Sequence, residues 1–375
     1  MESRDKHEIV TQSESNEIAC ECCQEWELGA RRIKRREFLT SSAGAVLSAT
    51  AIGSILPTGR AGAQVKVIDA ATAASTSTPE SLVKVLYDAL SPNQRKAICF
   101  PWNHQDPERG LLRTRVANNW DITDYYINDS EFYTKDQQAV IRAIFEGIIS
   151  PDWHERIDKQ LADDSGGYGE QNSIAIFGTP GSDQFEFVMT GRHMTIRCDG
   201  NTAQHVAFGG PIFYGHAAEG FNEGPTHPGN VFWPQAQAAN KLYQMLDGKQ
   251  QKQALLRRGL PEESRVGFRG KGGDFQGLSV ADLSRDQKEH LQQVMAMLIE
   301  PYRHTDRDEA THCLDTQGGL DACHLAYYSQ QDIGSDGVWD IWRLEGPSFV
   351  WHYRGAPHVH VWVNVADDPS VKLNA

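Results

Sequence analysis

Four helix starts of one kind recur along this chain of 375 residues. In each, a Ser, Thr or Asp is followed three residues later by Gln. They are Ser91 with Gln94, Thr134 with Gln137, Asp247 with Gln250, and Ser284 with Gln287. In such a capping box, each side chain bonds a backbone N–H that the first helical turn leaves unpaired. The first and third boxes are 156 residues apart and the second and fourth 150, so the spacing predicts the same pair of helices in two successive parts of the chain.

The likeness of the two parts continues beyond the boxes. Leu86-Tyr87 and Leu90 match Leu242-Tyr243 and Leu246, and apolar residues recur at helical spacing after the second box of each part. Alternating β-type sequence then follows, and Gly191 and Gly346 within it are 155 residues apart.

These matches predict an α+β fold made by internal duplication of a helical hairpin plus an antiparallel β unit. The halves would cover about 80–230 and 235–375 and pack about a pseudo-twofold axis. Chance similarity between helix caps is the alternative explanation.

The N-terminal 63 residues have the pattern of a twin-arginine export signal behind a polar leader. Arg35-Arg36 precedes Phe38-Leu39, then a weakly apolar run ends at Ala61 and Ala63. A retained membrane anchor is the alternative, but the run is short and rich in small residues. We expect cleavage, no stable membrane span afterwards, a flexible linker over 64–79 and one folded domain over 80–375. The location would be periplasmic or secreted, and the export machinery would be a partner.

The net charge and the absence of several sequence motifs exclude some classes of function. The formal net charge is −14, which disfavours nucleic acid as a partner and leaves a small-molecule substrate or ligand. The chain has no nucleophile elbow, Walker loop, H-E-x-x-H or dinucleotide-binding glycine motif. Serine hydrolases, nucleotide-binding proteins and nicotinamide enzymes therefore lose most of their support.

The stretch 355–362 contains two histidines at strand spacing. His358 and His360 would share one face, while Val359 and Val361 would be buried on the other. Two parallel imidazoles can bind one transition-metal ion, and copper, iron and zinc all accept imidazole. A solvated strand face is the alternative.

A metal site needs further ligands, and the duplication indicates where to find them. Arg192 and His193, just after Gly191, would open the corresponding strand of the first half. His352 lies in the strand before the histidine pair, and Glu186 lies across the first hairpin. Three protein ligands with an open fourth position would be a catalytic arrangement, whereas four would be structural.

Two more segments carry reactive side chains. Cys313 and Cys323 predict a disulfide in an oxidising compartment, with a His/Cys metal site as the alternative. The Gly-rich stretch 209–229 is interpreted either as an active-site cover or as a connector between halves. Cys20, Cys22 and Cys23 fall in the leader and receive no role.

The chain resembles the bacterial family known as domain of unknown function 3500 (DUF3500). The resemblance covers most of 80–375 and rests on six features. These are the L-S-x-x-Q helix start, Phe177-Gly-Thr-Pro180, Gly191-Arg-His193, Gly209-Gly-Pro-Ile-Phe-Tyr-Gly215, Arg343-Leu-Glu-Gly-Pro347 and His358-Val-His360. Members usually have two consecutive histidines after that first glycine, and here Arg192 takes the place of the first. The resemblance implies a grouping and no activity.

We therefore predict an exported metal-binding protein with a histidine-rich site, acting as an oxidoreductase or hydrolase. The alternative is a non-catalytic exported protein that binds a metal or a small ligand between its halves.

Overall fold

Each predicted capping box begins a helix in the computed structural model of the chain. The structure describes residues 78–200, 205–217, 231–257, 266–330, 339–355 and 358–371. The predicted export signal and nearly all of the predicted linker lie outside these ranges. Thr78, the linker residue before the first helix, accepts a hydrogen bond from the amide of Ser81 as its N-cap.

Eight α-helices are described: α1 Pro79–Ala89, α2 Pro92–Ile98, α3 Lys135–Ile148, α4 His154–Ser165, α5 Trp233–Met245, α6 Gly248–Ala254, α7 Arg285–Ile299 and α8 His304–Gln317. None of these helices has the length and apolar character needed to cross a membrane. Short 3-10 turns at 112–114, 151–153, 207–209, 280–282 and 320–322 join elements.

Thirteen strands are described. They are β1 Cys99–Phe100, β2 Gln105–Asp106, β3 Gly110–Leu111, β4 Asn172–Gly178, β5 Phe185–Gly191, β6 Met194–Asp199, β7 Ile212–His216, β8 Leu255–Leu256, β9 Leu278–Ser279, β10 His324–Tyr328, β11 Ile341–Gly346, β12 Phe349–Arg354 and β13 Val359–Val365. Eleven form one mixed sheet, while β2 and β3 pair separately.

From either edge of the sheet to its centre, the strands follow one another in the order in which they occur along the chain. Its order is β1-β4-β5-β6-β7-β13-β12-β11-β10-β8, with β9 alongside β10. The edge strands β1 and β8 pair in parallel with β4 and β10, and the pairs between them are antiparallel. The fold is therefore α+β with a large mixed sheet, and the central pair β7–β13 joins strands from the two parts of the chain.

The capping glutamines also bond each other. Gln94 and Gln137 exchange side-chain amide hydrogen bonds of 2.8 and 3.1 Å, and Gln250 with Gln287 exchange bonds of 3.1 and 2.9 Å. Each pair is partly or fully buried, so these bonds satisfy amide groups that would otherwise cost free energy. A local helix-start signal thus also locks α2 to α3 and α6 to α7.

The helices cover one face of the sheet, here called the helical face. Alternate strand residues such as Phe187, Ile196 and Val361 form the main core with helix residues such as Ile144 and Leu298. Segments of irregular structure cover the opposite face, here called the outer face. There Trp120 and Ile122 pack on Val188 of β5, and Val266 packs with Phe213 and Trp362 of β7 and β13.

Two sequence interpretations of the sheet differ from the structure. Residues 212–216, predicted to belong to a cover or connector, form β7 at the centre of the sheet, whereas 218–230 lie outside the described residues. Arg192 and His193, predicted to open a strand, instead form the two-residue turn between β5 and β6. The register of that hairpin, with Gly191 opposite Met194, leaves no other residues for the turn.

Candidate metal centre

Three buried imidazoles converge where the two parts of the sheet meet. The Nε2 atom of His193 lies 3.0 Å from Nε2 of His358 and 3.1 Å from Nε2 of His360. Each residue is at most 1% exposed. Among the described residues, this His triad is the group of His, Cys, Asp or Glu side chains placed to hold a metal ion. The structure therefore brings together three of the five predicted ligands.

Strand β13 supplies His360, and His358 lies directly before it. Val359, Val361 and Val363 point to the helical face and join the main core, so His358 and His360 project from the outer face. That face is not solvated here, because both imidazoles are buried. The alternative of a wet strand face is thereby excluded.

His193 reaches the pair from the β5–β6 turn. Its φ of +56° is in the left-handed region, which is uncommon for a residue with a side chain. Two backbone hydrogen bonds hold the turn in place, from the His193 amide to the Asn118 carbonyl and from the Gly215 amide to the His193 carbonyl. The unusual backbone conformation is thus supported on both sides.

Gly215 makes room for the imidazole of His193. It lies directly opposite His360 in the β7–β13 ladder, so any side chain there would point to the same face as His360. A Cβ atom at Gly215 would lie 3.3 Å from Cδ2 of His193 and only 2.3 Å from the Val359 carbonyl oxygen. The site thus requires glycine at this position for steric reasons.

Asp164, near the end of α4, fixes the tautomer of the neutral His193 ring. Its Oδ2 lies 2.9 Å from Nδ1 of His193, and its Oδ1 accepts a 2.9 Å bond from the Ala217 amide. Burial alone would raise the pKa of this carboxyl, but His193, His216 and the Ala217 amide together lower it below its usual range. An ionised Asp164 can only accept, so Nδ1 of His193 carries a proton, and in the neutral ring Nε2 then presents a lone pair to the triad.

Arg354 fixes the opposite tautomer in His360. The two residues are a directly opposed pair in the β12–β13 ladder, and Nη2 of Arg354 lies 2.5 Å from Nδ1 of His360. A guanidinium has no acceptor and stays protonated. It therefore donates to Nδ1 of His360, and the proton of the neutral ring is on Nε2.

The imidazoles of His358 and His360 are held neutral. Burial lowers the pKa of His358 and of His360 well below the usual range, and the neighbouring imidazoles with Arg354 and Arg192 lower it further. Neutral imidazole is the form that binds metal, so protons compete little for these rings near neutral pH.

The geometry of the triad fits a single metal ion. Imidazole nitrogens bound at about 2.0–2.1 Å to one tetrahedral ion lie about 3.3 Å from each other. The two distances from His193, 3.0 and 3.1 Å, are within a few tenths of an ångström of that separation. All three ligand atoms lie within 4.8 Å of one another. His193 also shows the carboxylate–histidine pairing that commonly orients metal-binding imidazoles.

The other two predicted ligands lie elsewhere. Glu186 pairs with Asp199 at the open end of the hairpin, five residues or about 16 Å of strand from Gly191. It is fully buried and forms ion pairs of 2.9 Å with Arg113 and Arg197. The structure therefore does not bring Glu186 to the triad, because its position along the hairpin places it at the far end from His193.

His352 lies near the triad without joining it. It opposes Trp362 in the β12–β13 ladder, one side-chain position beyond the Arg354–His360 pair on the same face. Its charge contributes to lowering the pKa of His360, but its ring packs edge-on against Tyr328 at 6.5 Å.

The predicted disulfide is not formed. All four described cysteines are free thiols. The Cys313 thiol on α8 takes backbone hydrogen bonds from Ala207 and Asp367, whereas Cys323 Sγ faces the Gly319 carbonyl and Gly346. Burial raises the pKa of each thiol to about 12. The two thiols therefore stay protonated in separate surroundings.

A family model described as "Protein of unknown function (DUF3500)" matches residues 72–365. The chain belongs to the DUF3500 family. No curated protein and no solved structure is detectably similar to it.

The DUF3500 match spans the whole triad together with Asp164 and Arg354. Sequence analysis missed the last two residues. Asp164 follows Asp163 in a polar helix end with no motif around it. Arg354 could have been found, because a hairpin from β12 to β13 sets it opposite a histidine of the His-x-His pair.

Proposed function

We propose that this DUF3500 protein is an exported metalloprotein that holds one transition-metal ion on His193, His358 and His360. The observation that carries the proposal is the convergence of three buried imidazoles, with Nε2 of His358 and Nε2 of His360 within 3.1 Å of Nε2 of His193. A cluster of buried imidazoles from two distant parts of the chain is costly to assemble unless it binds something.

Three protein ligands favour a reactive centre over a purely structural one. Structural zinc sites are closed by four protein ligands, whereas catalytic sites keep a position for water or substrate. Among the described residues, the group has three members. A bound ion could activate water or polarise a substrate oxygen there, so we propose a metalloenzyme of the hydrolase or oxidoreductase type acting on a small molecule.

Metal content tests the proposal. The mature chain, from about Gln64, is purified from cells that export it, and bound metals are measured by elemental mass spectrometry. We expect close to one copper, iron or zinc ion per chain, lost in a His358→Ala/His360→Ala variant. A His205→Ala/His304→Ala variant is the matched control, because these side chains are 71% and 85% exposed. A wild-type chain that stays empty after dialysis against all three metals would refute the proposal.

We also propose export by the twin-arginine route. Support comes from Arg35-Arg36, Phe38-Leu39 and the small residues ending at Ala63. Replacing both arginines by lysine should leave the full-length precursor in the cytoplasm. Mature protein outside the cytoplasm in that variant would contradict this route.

We further propose that the two halves are copies of one helical and β unit. The inward strand order from both edges of the sheet and the two reciprocal glutamine pairs support this origin. In this view the metal centre arose where the copies join, with His193 from the first and His358 and His360 from the second.

A further inference from the structure

We propose that the His triad takes up its metal together with a small anionic ligand, a carboxylate or comparable oxyanion, and that Arg354 couples the two binding events. This inference rests on the proposed metal site and adds the class of its ligand. Arg354 would be a positioning residue that acts on the metal through His360.

The metal-free triad has a consistent set of protons. His193 donates from Nδ1 to Asp164, and its neutral ring then offers a lone pair at Nε2. His360 receives the Arg354 guanidinium at Nδ1 and therefore carries its proton at Nε2, 3.1 Å from the lone pair of His193. The N–H of one ring thus donates to the other.

Metal binding breaks this arrangement at one point. An ion on Nε2 of His360 needs a lone pair there, so the ring proton moves to Nδ1 and no net proton is released. Nδ1–H would then face an N–H of Arg354, 2.5 Å from the same nitrogen. Two donors cannot share that contact, so Arg354 must leave His360 when the ion binds.

The displaced guanidinium lies beside a newly bound cation. Arg192 also adds positive charge, since it lowers the pKa of both His358 and His360 as Arg354 does. Asp164 is already engaged by His193 and the Ala217 amide. An anion at the open position of the ion would be attracted by the metal and could accept the N–H groups of Arg354.

Metal and anion should therefore strengthen each other's binding. Without an anion, the ion must displace Arg354 and leave two cations close together, which lowers its affinity. With an anion, the guanidinium gains a new acceptor in place of Nδ1 of His360. By linkage, the same factor that tightens the metal tightens the anion.

Zinc titrations with acetate as the probe test this coupling. Acetamide has nearly the same shape without the charge and serves as the control ligand. We expect saturating acetate to tighten Zn²⁺ binding to the wild-type mature chain about tenfold, within the usual range of coupling between two sites. Acetamide should have no effect. The Arg354→Met variant should bind Zn²⁺ about tenfold more tightly than wild type in the absence of acetate, and acetate should change its affinity by less than about twofold.

The Arg285→Met variant, which changes a side chain that is 93% exposed, should behave as wild type. Nitrogen-correlated NMR spectra add a readout that a structural role would not move. His360 should carry its proton at Nε2 in the metal-free wild type and at Nδ1 in the zinc form.

Equal zinc affinity of the wild type with and without acetate would overturn the inference while leaving the metal site intact. An equal effect of acetamide would also overturn it, because charge would then play no part. If neither wild type nor Arg354→Met binds zinc in any solution, the proposed metal site itself fails. The wild-type comparison decides the matter even if the variant does not fold.

Discussion

At the residue scale, metal binding depends on which atom of each imidazole carries a proton. Asp164 and Arg354 fix opposite tautomers in His193 and His360, one presenting a lone pair to the triad and the other a proton. Asp164 is therefore the residue that prepares the site for a metal, and Arg354 is the residue that the metal must displace.

Removing the charge of Asp164 should weaken metal binding. Asp164→Asn replaces an acceptor by an amide that no longer fixes the proton on Nδ1 of His193, and we expect metal affinity to fall about 10–100-fold. Competition against a chromophoric chelator measures it. Asp163→Asn is the matched control, because Asp163 contacts His216 and Lys159 and not the triad. An equal loss in both variants would mean that Asp164 does not act through His193.

At the element scale, the centre is built from a row of three neighbouring strands, β6, β7 and β13. His193 just before β6, Gly215 in β7 and His360 in β13 lie side by side, so the glycine leaves space between two imidazoles.

Adding one methyl group in this row should damage both fold and site. In Gly215→Ala, the new Cβ would lie 2.3 Å from the Val359 carbonyl oxygen, so β7 and β13 must move apart. We expect the free energy of unfolding to fall by about 1–3 kcal/mol and metal binding to weaken. Chemical denaturation measures the first effect. Gly248→Ala, where no atom lies within 4 Å of the added Cβ, should lose no stability. A stable, metal-binding Gly215→Ala chain would contradict this account.

At the element scale, some features of the fold and of the site could be predicted from the sequence and others could not. The capping boxes and the two faces of β13 were predicted correctly, because both follow from contacts between residues close in the chain. His193 was found because the likeness of the halves pointed to the residue after Gly191. Asp164 was missed and Glu186 was misplaced, because their positions depend on how α4 and the first hairpin pack in three dimensions.

At the scale of the whole molecule, two carboxyl groups of α8, Asp306 and Glu309, lie close enough to Asp199 at the end of β6 to affect its pKa. Burial, together with the charges of Glu186, Glu309 and Asp306, raises the pKa of Asp199 to about 8. Burial and Asp306 raise the pKa of Glu309 to about 7. Asp306 is also raised by burial, although Arg303 partly offsets that effect.

These raised values make stability fall as the pH increases. A carboxyl group whose pKa is higher in the folded state than in the unfolded state binds more protons when the chain is folded. Its contribution to the free energy of unfolding is therefore full below its pKa in the unfolded chain, about 4, and is lost as the pH rises through its pKa in the folded chain. Between pH 6 and pH 8.5, we expect metal-free wild type to lose on the order of 1–2 kcal/mol.

Asp199→Asn should lose less stability than wild type over that range, since the amide does not ionise. Asp308→Asn, on the helix that carries Asp306 and Glu309 but with a side chain 68% exposed, should follow the wild type. Urea denaturation at several pH values measures all three chains. A wild type whose stability rises across this range would contradict the assigned pKa directions.

The central claim, that one metal ion joins the two parts of the chain through three imidazoles, is tested most directly by anomalous X-ray diffraction. Crystals of the natively loaded protein would be measured on either side of the absorption edge of the metal found in it. The account predicts one peak about 2.0–2.1 Å from Nε2 of each of His193, His358 and His360. A metal peak at another group of side chains, with the triad imidazoles still bonded only to one another, would contradict it.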